Sequence, residues 1–162
     1  MNESEIREIV QKTISAVRSE TGGGKTVNLA RAERLCDAVM EEAKRMGVKA
    51  VVCVADSGGH PRLMKSMDGA YLASYDVAVN KAYTVVSLKM STMTLKPLAQ
   101  PGASLYGIQF TNGGKIVIFG GGDPLYDDRG EVIGGLGVSG GSEEQDAALS
   151  AYGRRFFETE MN

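Results

Sequence analysis

"VKAVVCVADSGGHPRLMKSM", residues 48–67, decides the fold. Residues 48–55 are rich in β-branched side chains and nearly all apolar, so they read as a central strand. "DSGGH", 56–60, is turn chemistry. Residues 61–67 then alternate like a returning strand, with Pro61 at the first position, where its missing N–H costs only one ladder bond. Strands joined by so tight a turn pair antiparallel.

Helices are expected on either side. Asn28 caps a helix running to about Met46, with Leu29, Ala32, Leu35, Cys36, Val39, Met40 and Ala43 as its stripe and Gly47 as its stop. A second helix spans about 70–90. Leu72, Tyr75, Val79, Ala82, Tyr83, Val86 and Met90 form one face, and Val77, Val85 and Leu88 form another with Lys81 among them. A helix apolar on two sides is buried on two sides, so a second subunit is expected against it. Lys81 is either a snorkelling lysine or a cation held for an anionic ligand or a carboxylate partner.

Residues 91–114 read as an irregular loop, long enough to carry function. "KIVIFGGG", 115–122, reads as a strand. Residues 124–140 read as a hairpin through Asp127-Asp128-Arg129-Gly130 into a last strand. Ser142 with Gln145 three residues on forms a capping box for a final helix. The order predicts α+β, an antiparallel sheet with helices laid on it.

Composition excludes several classes. The 162 residues carry 18 Lys plus Arg against 20 Asp plus Glu, a net charge of −2, so nothing electrostatic invites nucleic acid. No apolar run reaches the ~18 residues of a membrane span, and no secretion signal is visible. Cys36 and Cys53 read as buried thiols of a reducing compartment, so a cytoplasmic protein is expected. No nucleophile elbow, HExxH or paired metal spacing appears, and a non-enzymatic role is expected. Asp123, Asp127 and Asp128 read as turn residues.

Two glycine motifs mislead. "TGGGKT", 21–26, lacks the first glycine of a phosphate-binding loop, since Ser19 stands there, and it follows a helix rather than a strand. "GLGVSG", 135–140, spells a dinucleotide fingerprint, yet only one helix follows it. Those glycines permit close backbone approach instead. Gly140-Gly141-Ser142, just before the last helix, offers N–H groups that could hold a carboxylate or propionate.

The first twenty residues are a separate unit. Ile6, Ile9, Val10, Ile14 and Val17 form one helical stripe, and 21–26 have the composition of a flexible tether. The segment either folds back on its own domain or a sister subunit, or docks elsewhere. It resembles the encapsulation peptides that direct cargo into bacterial microcompartments. The resemblance implies docking on a shell protein through those five side chains.

The runs at 51–86 and 118–146 resemble the GlcG/HbpS family, which includes the C-terminal domain of PduO. The likeness covers about 27–158 and marks 27–162 as one domain. Its recurring positions fall on Asp56, Gly58, Gly59, Met67, Asp68, Gly69, Lys81 and Ala82, on Pro101, Gly102, Gly120, Gly121, Gly122 and Pro124, and on Gly137, Ser139, Gly140, Gly141, Gln145 and Asp146. The resemblance implies a profilin-like sheet, homo-oligomers and haem binding, with some members encoded among propanediol or glycolate genes. It does not fix the iron ligand. His60 is the only histidine, and imidazole is a common haem ligand, so it is the candidate for the metal, although an exposed His in a Gly-rich turn is also ordinary. Met67, Lys81, Gly140 and Ser142 complete the candidate cofactor contacts. A haem- or tetrapyrrole-binding accessory protein packaged in a microcompartment is expected; a corrinoid-enzyme accessory and an oligomeric structural adaptor remain open.

Overall fold

A computed structural model describes residues 2–20 and 26–161. The expected tether falls almost wholly outside the described residues. Helix α1 (Glu3–Glu20) begins with Asn2, whose side chain accepts the Glu5 N–H at 2.9 Å. Residues 2–13 are all exposed, including Ile6, Ile9 and Val10. The side chains of Ile14 and Val17 lie outside the described ones.

The body starts at Val27, which is buried. Helix α2 (Leu29–Arg45) is capped by Asn28, whose side chain accepts the Arg31 N–H, and it stops before Gly47 at φ +70°. Strands β1 (Val51–Asp56) and β2 (Pro61–Ser66) form the expected hairpin. Helix α3 (Ser74–Leu88) follows, then β3 (Gly122–Tyr126), β4 (Val132–Ser139) and the last helix α5 (Glu143–Glu160), which opens with the expected capping box. The sheet order is β2-β1-β4-β3, antiparallel throughout. The α+β expectation holds.

Side chains alternate across β1 with the period of two that a pleated strand imposes. Val52 and Val54 face α2 and α5, in a core with Leu35, Val39, Leu136, Leu149 and Phe157. Val51, Cys53 and Ala55 face α3, against Ala78 and Ala82. Both cysteines are buried and unpaired, and desolvation pushes each thiol up to about 12. Helix α3 lies almost on the backbone of β4. A Cβ at Gly137 would sit 2.0 Å from the Ala78 carbonyl oxygen, and one at Gly135 2.4 Å from that of Ala82. The false dinucleotide motif is therefore a groove for a helix.

Three expectations are corrected by the fold. The apolar run 115–121 is not a strand; pairing starts at Gly122. Ile116 and Val117 are buried because the segment packs under α3, where Val117 N–H donates to Thr84 Oγ1 at 2.9 Å. Gly121, at φ +113°, breaks the extended path. The stretch 91–114 is not wholly irregular: Ser91 caps a short helix, α4 (Thr92–Leu98), and two 3-10 turns follow. Helix α3 buries a face that cuts across the two expected ones, keeping Ala82 from the first and Lys81 and Val85 from the second. Ser74, Ala78, Lys81, Ala82 and Val85 pack inward, while Tyr75 is exposed and Leu72, just before the helix, is 93% exposed.

Candidate functional site

The β1–β2 turn is built by one carboxylate. Asp56 Oδ1 accepts the N–H groups of Gly58 at 2.9 Å and His60 at 3.0 Å. The Asp56 carbonyl takes the Gly59 N–H, and Gly59 sits at φ +76°, where a side chain would be strained. The loop thus closes on itself and projects the next residue outward. His60 is 82% exposed along its side chain.

The imidazole is nevertheless oriented. Its Nδ1 lies 3.4 Å from Asp56 Oδ1. It folds over Gly58, where a Cβ would come within 2.8 Å of that nitrogen. With Nδ1 turned toward the carboxylate, Nε2 is the nitrogen left for a metal or proton. Burial alone would raise the Asp56 carboxyl, but hydrogen bonds from the His60 and Gly58 backbone, with the imidazole, hold it below its ordinary range. A cavity of about 290 Å³ adjoins the ring, bordered by Thr26, Val27, Asp56, His60, Arg62 and Ile133 among others.

The other candidates do not gather at this turn. Met67 lies past the far end of β2, a strand length or roughly 20 Å away; it is half-buried, and its sulfur accepts the Ala50 N–H at 3.3 Å. Gly140 lies at that same far end, where Val51 pairs with both Ser66 and Ser139. It borders a second cavity, of about 300 Å³, with Lys49, Gly69 and Tyr71. Ser142 caps α5. The N–H groups expected to hold a propionate are already engaged: Gly141 donates to Asp146 Oδ1 and Ser142 to Gln145 Oε1, both at 2.9 Å. The first turn of α5 also carries Glu143 and Glu144, which repel an anion.

Lys81 is neither snorkelling nor presented to a ligand. It is 0% exposed, and its Nζ donates to the Val138 carbonyl at 2.8 Å and Asp146 Oδ2 at 2.9 Å. The Phe119 ring lies 5.0 Å away. Of the two functional possibilities, the carboxylate partner is the one found. Burial pulls the ammonium down from its ordinary value, and Asp146 opposes that pull. Through this pair α3 is tied to both β4 and α5.

Sequence reasoning missed Asp56 as the partner of the imidazole and Arg62 as its neighbour. The signal was present, since an Asp two residues before Gly opens an Asx-type turn and accepts the backbone N–H groups just beyond it. Among the described residues no group of three His, Cys, Asp or Glu could hold a metal, and no helix is long and apolar enough to cross a membrane.

The fold and turn define a class: a four-stranded antiparallel sheet with helices on both faces and one exposed, carboxylate-backed imidazole. The chain belongs to the family described as haem degrading protein HbpS-like, which matches residues 27–155. It is 47% identical over 125 residues to an uncharacterized 15.0 kDa protein in the dhaT-dhaS intergenic region of Citrobacter freundii, covering 77% of this chain and 87% of that one. It is 43% identical over 117 residues to the corrinoid adenosyltransferase PduO of Salmonella typhimurium, covering 72% of this chain but 34% of that protein. The crystal structure of a PduOC:heme complex superposes with a TM-score of 0.73 at 41% identity, covering 76% of this chain and 88% of that one.

Proposed function

We propose that this chain is a haem- or tetrapyrrole-binding accessory protein that carries haem on its surface at the His60 turn. The observation that carries the reading is the exposed imidazole held by Asp56 with Nε2 open. The likeness to the PduOC:heme complex supports it. The residues fit a surface-laid group and not an enclosed one. The adjoining cavity, about 290 Å³, falls at the lower bound of about 300 Å³ for small-molecule pockets. His60 would hold the iron, Asp56 would orient and strengthen that ligand, and Arg62 would face a propionate. Haem, when bound, would supply an iron for ligand-binding or redox chemistry, with His60 as the residue holding it.

The test is a hemin titration of the full chain, read at the Soret band, beside His60→Ala. A saturable band that the substitution abolishes or shifts is expected. An unchanged band in His60→Ala removes the turn from the site, and no saturable band in the parent protein overturns the haem reading. A band that persists under reductant fits carriage; progressive bleaching with iron release fits degradation.

Two further elements belong to this reading. Tyr71, Leu72 and Tyr75 form an exposed apolar patch at the start of α3, suited to a second copy of the chain. Size-exclusion chromatography with light scattering should show an oligomer that Leu72→Asp weakens. The exposed stripe of α1 supports docking of this leader on a microcompartment shell protein. Deleting residues 1–20 should release the protein from shells, and co-purification of the truncated form with shells refutes this docking.

A further inference from the structure

Across β4 from β1, a cleft of about 300 Å³ opens between the end of α3 and the start of α4 on one side, and β3 and α5 on the other. Its wall carries Lys89, Ser91, Thr94, Asp123, Tyr126 and Arg154. Asp123, expected in a turn, sits in β3 with its side chain only 14% exposed.

The two cations of this cleft are loosely paired at most. Arg154 Nε is buried and meets no hydrogen-bond acceptor in good geometry, its partner being the Asp123 carboxylate at ion-pair distance, while Nη1 donates a long bond to Glu158 Oε1. The guanidinium stands 3.4 Å from Asp123 Oδ1 and 3.4 Å from Glu158 Oε1, at the loose end of pairing. Lys89 makes no ion pair with a carboxylate among the described residues. It also adopts φ +52°, a conformation glycine takes freely and lysine does not. Ser91 Oγ and Thr94 Oγ1 lie 2.9 Å apart, and sharing one proton leaves the other for a third group. Asp123 is held by the Ser150 hydroxyl at 2.6 Å, which occupies one of its two carboxyl oxygens.

We propose that this cleft binds a small oxyanion, the carboxylate or phosphoryl group of a low-molecular-weight metabolite, between Lys89 and Arg154, with the Ser91–Thr94 hydroxyl pair donating to it. The volume is about ten times the ~30 Å³ share of one water, which suits a short organic anion. The site shares no residue with the His60 turn, so it stands or falls independently of the haem reading.

Isothermal titration calorimetry on the full chain tests this, using inorganic phosphate and acetate as separate probes at constant ionic strength set with chloride. Saturable binding of at least one is expected. Phosphate alone points to a phosphoryl ligand and acetate alone to a carboxylate. Lys89→Gly removes the cation at a backbone position glycine prefers, so the variant stays folded; it should weaken binding about tenfold, the loss of one charge-assisted hydrogen bond. Lys44→Gln, on an exposed part of α2 away from the cleft, should change nothing. Absence of saturable binding by both probes, or equal affinity in Lys89→Gly, overturns the proposal.

Discussion

Lys81 and His60 each carry a basic nitrogen, and the fold gives them opposite settings. Lys81 is sealed between α3, β4 and α5, with its ammonium bound to Asp146 and the Val138 carbonyl. His60 stands in water, with one ring nitrogen leaning on Asp56. Family resemblance marks the Lys81 position and leaves His60 to be chosen by its chemistry. Recurrence at a position therefore reported architecture in the first case. A charge sealed inside the protein against a carboxylate and a carbonyl is out of a ligand's reach, whereas an exposed nitrogen beside an orienting carboxylate is open to one.

That contrast can be broken, or sharpened, by substitution. The largest effect belongs to the glycine that lets α3 reach β4. Gly137→Ala drives a Cβ into the Ala78 carbonyl, and a loss above about 4 kcal/mol is expected in urea unfolding, if the variant folds at all. Next comes Lys81→Met, which strands a buried Asp146 carboxylate; about 3–5 kcal/mol should be lost, and adding Asp146→Leu should recover part of it. A loss below about 1 kcal/mol, the scale of a surface pair, would erase the distinction drawn between the two nitrogens.

Asp123→Asn is smaller and pH-dependent. Desolvation raises the native Asp123 carboxyl above 3.8. Between 3.8 and the native value the folded chain binds the extra proton, so wild-type stability falls as pH rises through that window. The advantage of the variant over wild type should therefore grow across the window and stay flat above it, read from urea midpoints in a pH series. The smallest effect is at the turn: His60→Ala should leave stability within about 0.5 kcal/mol, because an exposed side chain supports little else. A larger loss in thermal melts would mean the imidazole belongs to the scaffold.

Much of the frame was readable because its signals are local. The Asp56–His60 turn, the Asn28 cap and the Ser142–Gln145 box each act within five residues, and each is where the sequence placed it. Failures came where long-range packing decided. Ile116 and Val117 look like a strand by composition, yet their apolarity serves packing beneath α3. Nothing near Lys81 in sequence announces Asp146, 65 positions on. The amides around Gly141 looked open because their acceptors, Gln145 and Asp146, bend back from the next turn. Asp123 read as punctuation because Gly and Pro flank it, although β4 pairs with it as sheet.

Val27 and Thr26, where the described chain resumes after α1, border the cavity beside His60. Val27 is anchored there, close enough to Gly134 that a Cβ on that glycine would meet it at 2.7 Å. The first residues of the body and the imidazole therefore share one doorway. A guest laid on His60, as proposed, would rest against the threshold where the domain's own fold begins, so Thr26 and Val27 set how deeply it can settle at that corner.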